Sequence, residues 1–372
     1  DTWVMDTFSK MTLDERIGQF FIVELNSFSK NKTKKQIDNL ILKNKIGGIL
    51  FRSPELTFLN ESIKNVSKNS KTPLFVALDG EVQNFESYDS SINFPSSFTL
   101  SVANEKRIAL KNGKVKADYL RNLGVNTYFS LNANLISSSS TNLSGMFGEV
   151  PLPVSRLISG SVEGLESNGV LVSVKDFPGV GSIVKDSNGL LSLNERLTSL
   201  NAVNLLPFRE AIKANASFVT MSNAVVRSID SLGLPMSLSK QSVTFLKNEL
   251  GFKGLILANG SDLKQLKDFC KPNEFALASF KAGCDLFIGI DDVEKSIKEI
   301  ELSVLNGDLS LEEVNRRCLQ ILHLKYKSLV KEKTFSKLSN DEKEWALKEA
   351  YEKGFVVFKN KKNQLAIRDL TK

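Results

Sequence analysis

The amino-acid sequence predicts an α/β fold, a (β/α)8 TIM-type barrel followed by a short C-terminal extension. Three observations carry this reading. Eight short apolar runs recur along the 372 residues, separated mainly by segments of helical spacing. The runs are almost continuously apolar rather than alternating, which marks strands buried on both faces of a parallel sheet. No Gly-rich phosphate loop follows the first run, which counts against the nucleotide-binding version of the alternative, a doubly wound open sheet. The length accommodates one barrel and an appendage, so residues 1–330 are assigned to the barrel and 331–372 to an extension or the start of a linker to a further domain.

Residues 19–23 read as the first strand, and Ile37, Leu40, Ile41 and Leu42 mark a helix that ends before the second, 47–51. The third, 73–79, ends in Asp79. A helix with Ile108, Val115, Tyr119 and Leu123 on one face leads to the fourth, 126–131, and the fifth spans 169–174. Residues 217–223 form the sixth. A helix capped by Ser239 and closed at Gly251 delivers the seventh, 254–259, and 284–290 is the eighth. Beyond about residue 330 the chain turns polar, then helical over 344–352, with a lone strand candidate at 354–358 that needs a pairing partner.

Composition removes several function classes. The only histidine, His323, lies in a helical segment far from any candidate catalytic loop, so a His-ligated metal site is not expected. Cys270, Cys284 and Cys318 are odd in number and flanked by apolar residues, which reads as buried thiols rather than a disulfide framework or zinc knuckle. No cofactor is implied. The formal charge of +7 comes from 49 basic and 42 acidic residues whose lysines are dispersed. The densest clusters, within 30–35 and 359–362, lack interleaved aromatics, so a nucleic-acid partner is not expected. No apolar run approaches the roughly 20 residues of a transmembrane helix. Asp1 begins no signal peptide, so an exported protein would have lost its leader before this numbering starts.

In a parallel barrel the strand ends name the pocket. They are Glu24, Arg52, Asp79, Glu81, Asn132, Asn134, Lys175, Asp176, Asn223, Asn259 and Asp262, a set rich in amides and short of paired acids. Asp79 either caps the next turn or lines a ligand pocket, and Lys175 either holds a ligand hydroxyl or pairs with an acid. Neither Trp3 nor Trp345 lies at a strand end, which leaves Phe85 or Tyr88 as a stacking platform. The loop Lys175-Asp176-Phe177-Pro178-Gly179-Val180-Gly181-Ser182 after the fifth strand holds one carboxylate, one lysine and no histidine, thiol or second acid. It reads as an active-site loop without its proton-transfer partners.

That loop resembles the Lys-His-Phe-Pro-Gly-His-Gly-Asp loop of glycoside hydrolase family 3, in particular of its bacterial β-N-acetylglucosaminidases. The likeness extends in order and spacing through 13–19, 78–81, Phe94-Pro95, 205–209, 249–254 and 282–285. The resemblance implies a retaining mechanism, in which an aspartate after the seventh strand attacks the anomeric carbon and a loop His–Asp pair moves the proton. Here the nucleophile position aligns with Asn259, the loop histidine with Asp176 and its aspartate partner with Ser182. The other histidines fall on Val180 and Asn188. Substrate-holding positions fall on Asn134, Gly145, Asn223 and near Ser87, while Asp79 and Lys175 are retained.

An amide at 259 carries no charge with which to attack or to stabilise an oxocarbenium ion. The resemblance therefore implies a pseudoenzyme: a glycan-binding or scaffolding barrel whose ligand residues would be Asp79, Lys175, Asn134 and Asn223. The alternative is an active glycosidase with relocated acids, Asp262 as nucleophile and Asp176 as acid/base. The family's usual setting implies an amino-sugar glycan or peptidoglycan fragment, protein partners in an envelope complex, and export to the periplasm or outer cell envelope. The Lys-, Asn-, Ser- and Phe-rich composition fits an AT-rich bacterial genome.

Overall fold

The computed structural model describes all residues except 1, 26–33, 44, 53–55, 71, 81–93, 139, 141–142, 144, 182, 186–188, 262, 331–334, 336–337 and 356–372. Strands β1 (Ile22–Leu25), β2 (Gly48–Arg52), β3 (Phe75–Asp79), β4 (Thr127–Asn132) and β5 (Leu171–Phe177) come first. A short hairpin, β6 (Val184–Lys185) and β7 (Leu191–Ser192), precedes β8 (Phe218–Met221), β9 (Leu255–Asn259) and β10 (Leu286–Ile288). Eight of these form one parallel sheet in the order β1-β2-β3-β4-β5-β8-β9-β10. A parallel bridge between Phe21 and Phe287 closes the first strand's side onto the last. The sheet is thus the expected (β/α)8 barrel, with helices alternating between strands.

The interior follows from the apolar runs. Rings from strands that are not neighbours meet inside the barrel, with Phe75 and Phe218 centroids 5.4 Å apart and Phe129 and Phe218 5.8 Å apart, both edge-on. Below them Lys325, fully buried, donates to Gln19 Oε1 at 2.7 Å and lies 5.0 Å from the Phe75 ring centroid. Paired glycines at the start of β2 allow close approach: a Cβ on Gly48 would collide with the Phe75 carbonyl. Side chains brace the amino ends of the strands. Glu166 Oε1 accepts from the Val172 N–H at 2.8 Å and the Ser217 N–H at 2.9 Å, and Asp285 Oδ2 accepts from the Ile256 N–H at 2.9 Å.

Several boundaries differ from those the sequence suggests. Residues 19–21 are buried, but the ladder with β2 begins at Ile22 paired with Gly48, because the Phe20 and Phe21 N–H groups turn back to the Ile17 and Gly18 carbonyls. The eighth run keeps only Leu286–Ile288 as strand, paired with Leu257–Asn259. β5 continues to Phe177 rather than ending before Lys175, and its pairing with β8 shifts register between Val174 and Phe177. The helix opened by Ser239 tightens its cap at 3.0 Å to the Ser242 N–H, then widens to π geometry over Phe245–Glu249 before Gly251.

The strand candidate at 354–358 lies largely outside the described residues. The helix before it, Asn340–Lys353, is capped by Ser339 and packs on the barrel helix Lys106–Asn122. Among the described residues, no helix is long and apolar enough to cross a membrane.

Candidate active site

The carboxyl ends of the strands gather most of the predicted residues. Asp79, on the last position of β3, is the hub. Its Oδ1 accepts from Lys175 Nζ and from Ser130 Oγ, each at 2.8 Å, and its Oδ2 pairs with Arg52 at the end of β2. Arg52 Nε also pairs with Glu24 Oε2 on β1 at 3.1 Å, and its second terminal nitrogen donates to Ser261 Oγ at 3.0 Å. Lys175 thus forms an ion pair with Asp79. Burial pushes the Asp79 carboxyl up, but the adjacent Lys175 and Arg52 charges outweigh it and hold the group below its usual range.

The register shift in β5 places one extra residue opposite β8 at Lys175–Asp176, a bulge of the kind that re-aims side chains at a barrel rim. Lys175 reaches back to β3, whereas Asp176 meets Asn134, whose Nδ2 donates to Asp176 Oδ2 at 3.2 Å. The Lys175–Asp176 and Phe177–Pro178 peptide bonds are cis. Burial pushes the Asp176 carboxyl above its usual range; the Lys175 charge and the Asn134 bond oppose this, and the nearby Asp79 adds to it. The two site carboxyls are thus driven apart, Asp79 toward the anion and Asp176 toward the acid.

The loop after β5 is tied down at Gly179, Val180 and Gly181. Asn134 Oδ1 accepts from the Val180 N–H at 2.8 Å, and Asn204 donates to the Gly179 carbonyl at 2.9 Å. Gly181 runs so close to the 133–137 segment that a Cβ there would collide with the Leu135 carbonyl. On the far side of the mouth, Asn223 donates to the Asn259 carbonyl at 2.8 Å and accepts from Ser237 Oγ at 2.6 Å. Asn259 Oδ1 accepts from the Ser261 N–H at 3.0 Å.

Asp79, Lys175, Arg52 and Glu24 therefore form one connected cluster, with Asp176 and Asn134 beside it and Asn223 and Asn259 across it. Asn132 supports Asn134, accepting its N–H at 2.9 Å. Ser182, Asp262, Glu81, Phe85, Ser87, Tyr88 and Asn188 lie outside the described residues. Ser130 and Ser261 were not singled out by sequence. The strand alternation that places Asn132 at the mouth also points Ser130 there, which was the available signal. Ser261, two residues past a strand end, carried none. Among the described residues, no group of three or more His, Cys, Asp or Glu is placed to hold a metal ion.

A closed parallel barrel with charged and amide side chains converging on its carboxyl-end mouth defines a TIM-barrel protein whose candidate ligand site lies at the strand ends. The profile of the Glycosyl hydrolase family 3 N terminal domain matches residues 12–324, and the chain belongs to that family. It is 26% identical over 330 residues to "Beta-hexosaminidase A" of Pseudoalteromonas piscicida, covering 78% of this chain and 55% of that protein. It is 26% identical over 267 residues to a "Beta-hexosaminidase" of Nitrosomonas eutropha, covering 68% of this chain and 75% of that one.

Among solved structures, a family 3 beta-N-acetylglucosaminidase from Paenibacillus sp. str. FPU-7 superposes with a TM-score of 0.79 at 23% identity, over 92% of this chain and 69% of that one. M. tuberculosis LpqI gives 0.75 at 21% identity, over 86% and 95%. These structural likenesses establish the barrel. The chain spans little more than half of the Pseudoalteromonas relative.

Proposed function

We propose that this chain is a glycosidase-like barrel without glycosidase turnover, acting as an amino-sugar-binding or scaffolding component of a cell-envelope assembly. The observation that carries the reading is Asn259. It ends β9, the seventh barrel strand, at the position that the resemblance gives to the nucleophile, and its side-chain oxygen is committed to the Ser261 N–H. A retaining mechanism needs a carboxylate there, about 5–5.5 Å from a second proton-transferring group. An amide forms no glycosyl ester. Loss of one member of such a unit lowers the rate by several powers of ten, and here the loop histidine is replaced as well.

Binding asks for less than catalysis does. Asp79 and Lys175 offer an anion and a cation at the barrel mouth, with Asn134 and Asn223 alongside, enough to orient hydroxyl and acetamido groups. The beta-hexosaminidase names of the relatives support an N-acetylhexosamine as the ligand class, and the exported setting follows from the same resemblance.

One observation favours a second reading, an active enzyme with relocated acids. Asp176 is pushed toward its protonated form, the character a general acid requires. Release of chromophore from an aryl β-N-acetylglucosaminide at high protein concentration tests the choice, with Asp262→Asn run beside the wild type. We expect no turnover above the buffer rate from either. Turnover that persists through purification and vanishes in Asp262→Asn would establish the relocated-acid enzyme instead.

A further inference from the structure

We infer that Arg52 gates the sugar pocket, occupying the face of Asp79 that a ligand would use, so that affinity is set by how readily the guanidinium leaves. This rests on the glycan-binding reading above. One guanidinium is held by three separate elements: Glu24 on β1, Asp79 on β3 and Ser261 beyond β9. In the barrel order, β1 and β10 lie between β2 and β9, so the reach from Arg52 to Ser261 passes over two strand ends, across the mouth.

Most of the acceptor capacity of Asp79 is already taken up. A carboxylate offers about four lone-pair directions. Lys175 and Ser130 take both directions on Oδ1, and Arg52 takes one on Oδ2, the oxygen that a ligand diol would need alongside. A neutral sugar exchanges an ion pair for a hydroxyl bond to the same carboxylate, which keeps the acceptor's charge and gives up the donor's. Glu24 gives the displaced guanidinium somewhere to remain paired, so opening moves Arg52 without stranding its charge.

Asp79 keeps Lys175 as a cationic partner when Arg52 is removed, so its charge stays compensated in the variant. If the open arrangement makes up about a tenth of the wild type, its apparent affinity is reduced about tenfold, and removing the gate restores that factor. The experiment is titration of N-acetylglucosamine and of its β-1,4 dimer, followed by chemical-shift changes, against wild type, Arg52→Ala and Arg52→Gln. The glutamine variant keeps a neutral donor and serves if the alanine variant melts early.

The expected result is binding about tenfold or more tighter in Arg52→Ala or Arg52→Gln than in wild type. Equal or weaker binding by folded variants, with the wild type binding, would overturn the gate and leave the pocket. No binding by wild type or by either folded variant would overturn the pocket and the gate together.

Discussion

Three ionisable residues define the chemistry of this barrel, and each is set by what surrounds it. Asp79 is held anionic by two cations, and the stability it contributes is present above the ordinary aspartate range and is lost as pH falls through its lowered value. Asp176 behaves oppositely: its contribution is present at acid pH and is lost as pH rises through its raised value. Lys325 is the third. Burial outweighs the opposing pull of Cys318 and lowers its ammonium from 10.5 to about 7.

Between those two values the unfolded chain holds a proton that the folded chain does not, so stability climbs with pH across that window. Below about pH 7 the full cost of burying the charge is present. Urea unfolding of wild type against Lys325→Met should show the wild type gaining about 1 kcal/mol per pH unit relative to the variant from pH 7.5 to 9. Parallel pH profiles would contradict that assignment. Sequence placed Asp79 and Lys175 at strand ends because strand ends can be read from apolar runs. It placed Arg52 at a strand end too but did not show its partners, because Ser261 lies 209 positions away and only the closed barrel brings them together.

At the scale of elements, apolar runs reported burial faithfully but not pairing. The run at 19–23 is interior from its first residue, yet its ladder with β2 begins only at Ile22, and β5 extends through Phe177 by way of a bulge that no run of hydrophobicity encodes. The C-terminal helix Asn340–Lys353 shows a complementary gap. Its apolar contribution to the interface is small, with Ala346 and Ala350 as its buried residues, so its docking is carried by side chains whose partners are distant in sequence.

Lys111 Nζ sits 3.4 Å from the Trp345 ring centroid, and Glu349 pairs with Arg107 at 2.5 Å and with Lys111 at 3.2 Å. Such contacts are partly exposed, so each alone holds the helix weakly. The double variant Trp345→Ala/Glu349→Ala should therefore release this helix, raising tryptic cleavage within 340–353 several-fold while the barrel stays intact. Cleavage at the wild-type rate would show that the helix is held by something else.

At the scale of the whole molecule, a family 3 barrel carries the cluster of Glu24, Arg52, Asp79 and Lys175 at its mouth. The scaffold rests on features indifferent to catalysis: the phenylalanine layer, the braces from Glu166 and Asp285, and the closure of β1 onto β10. The proposed loss of turnover rests on a handful of residues at the opposite end, so the one can persist without the other.

A retaining glycosidase must form a covalent glycosyl-enzyme, whichever carboxylate serves, so the most direct test looks for that bond. The native protein would be incubated with an activated, ring-fluorinated N-acetylglucosaminyl donor that slows release of the sugar, and its intact mass recorded. The account predicts an unchanged mass. A gain of one glycosyl unit, localised by peptide mapping to Asp176, Asp262 or any other carboxylate, would contradict it and make the barrel an enzyme.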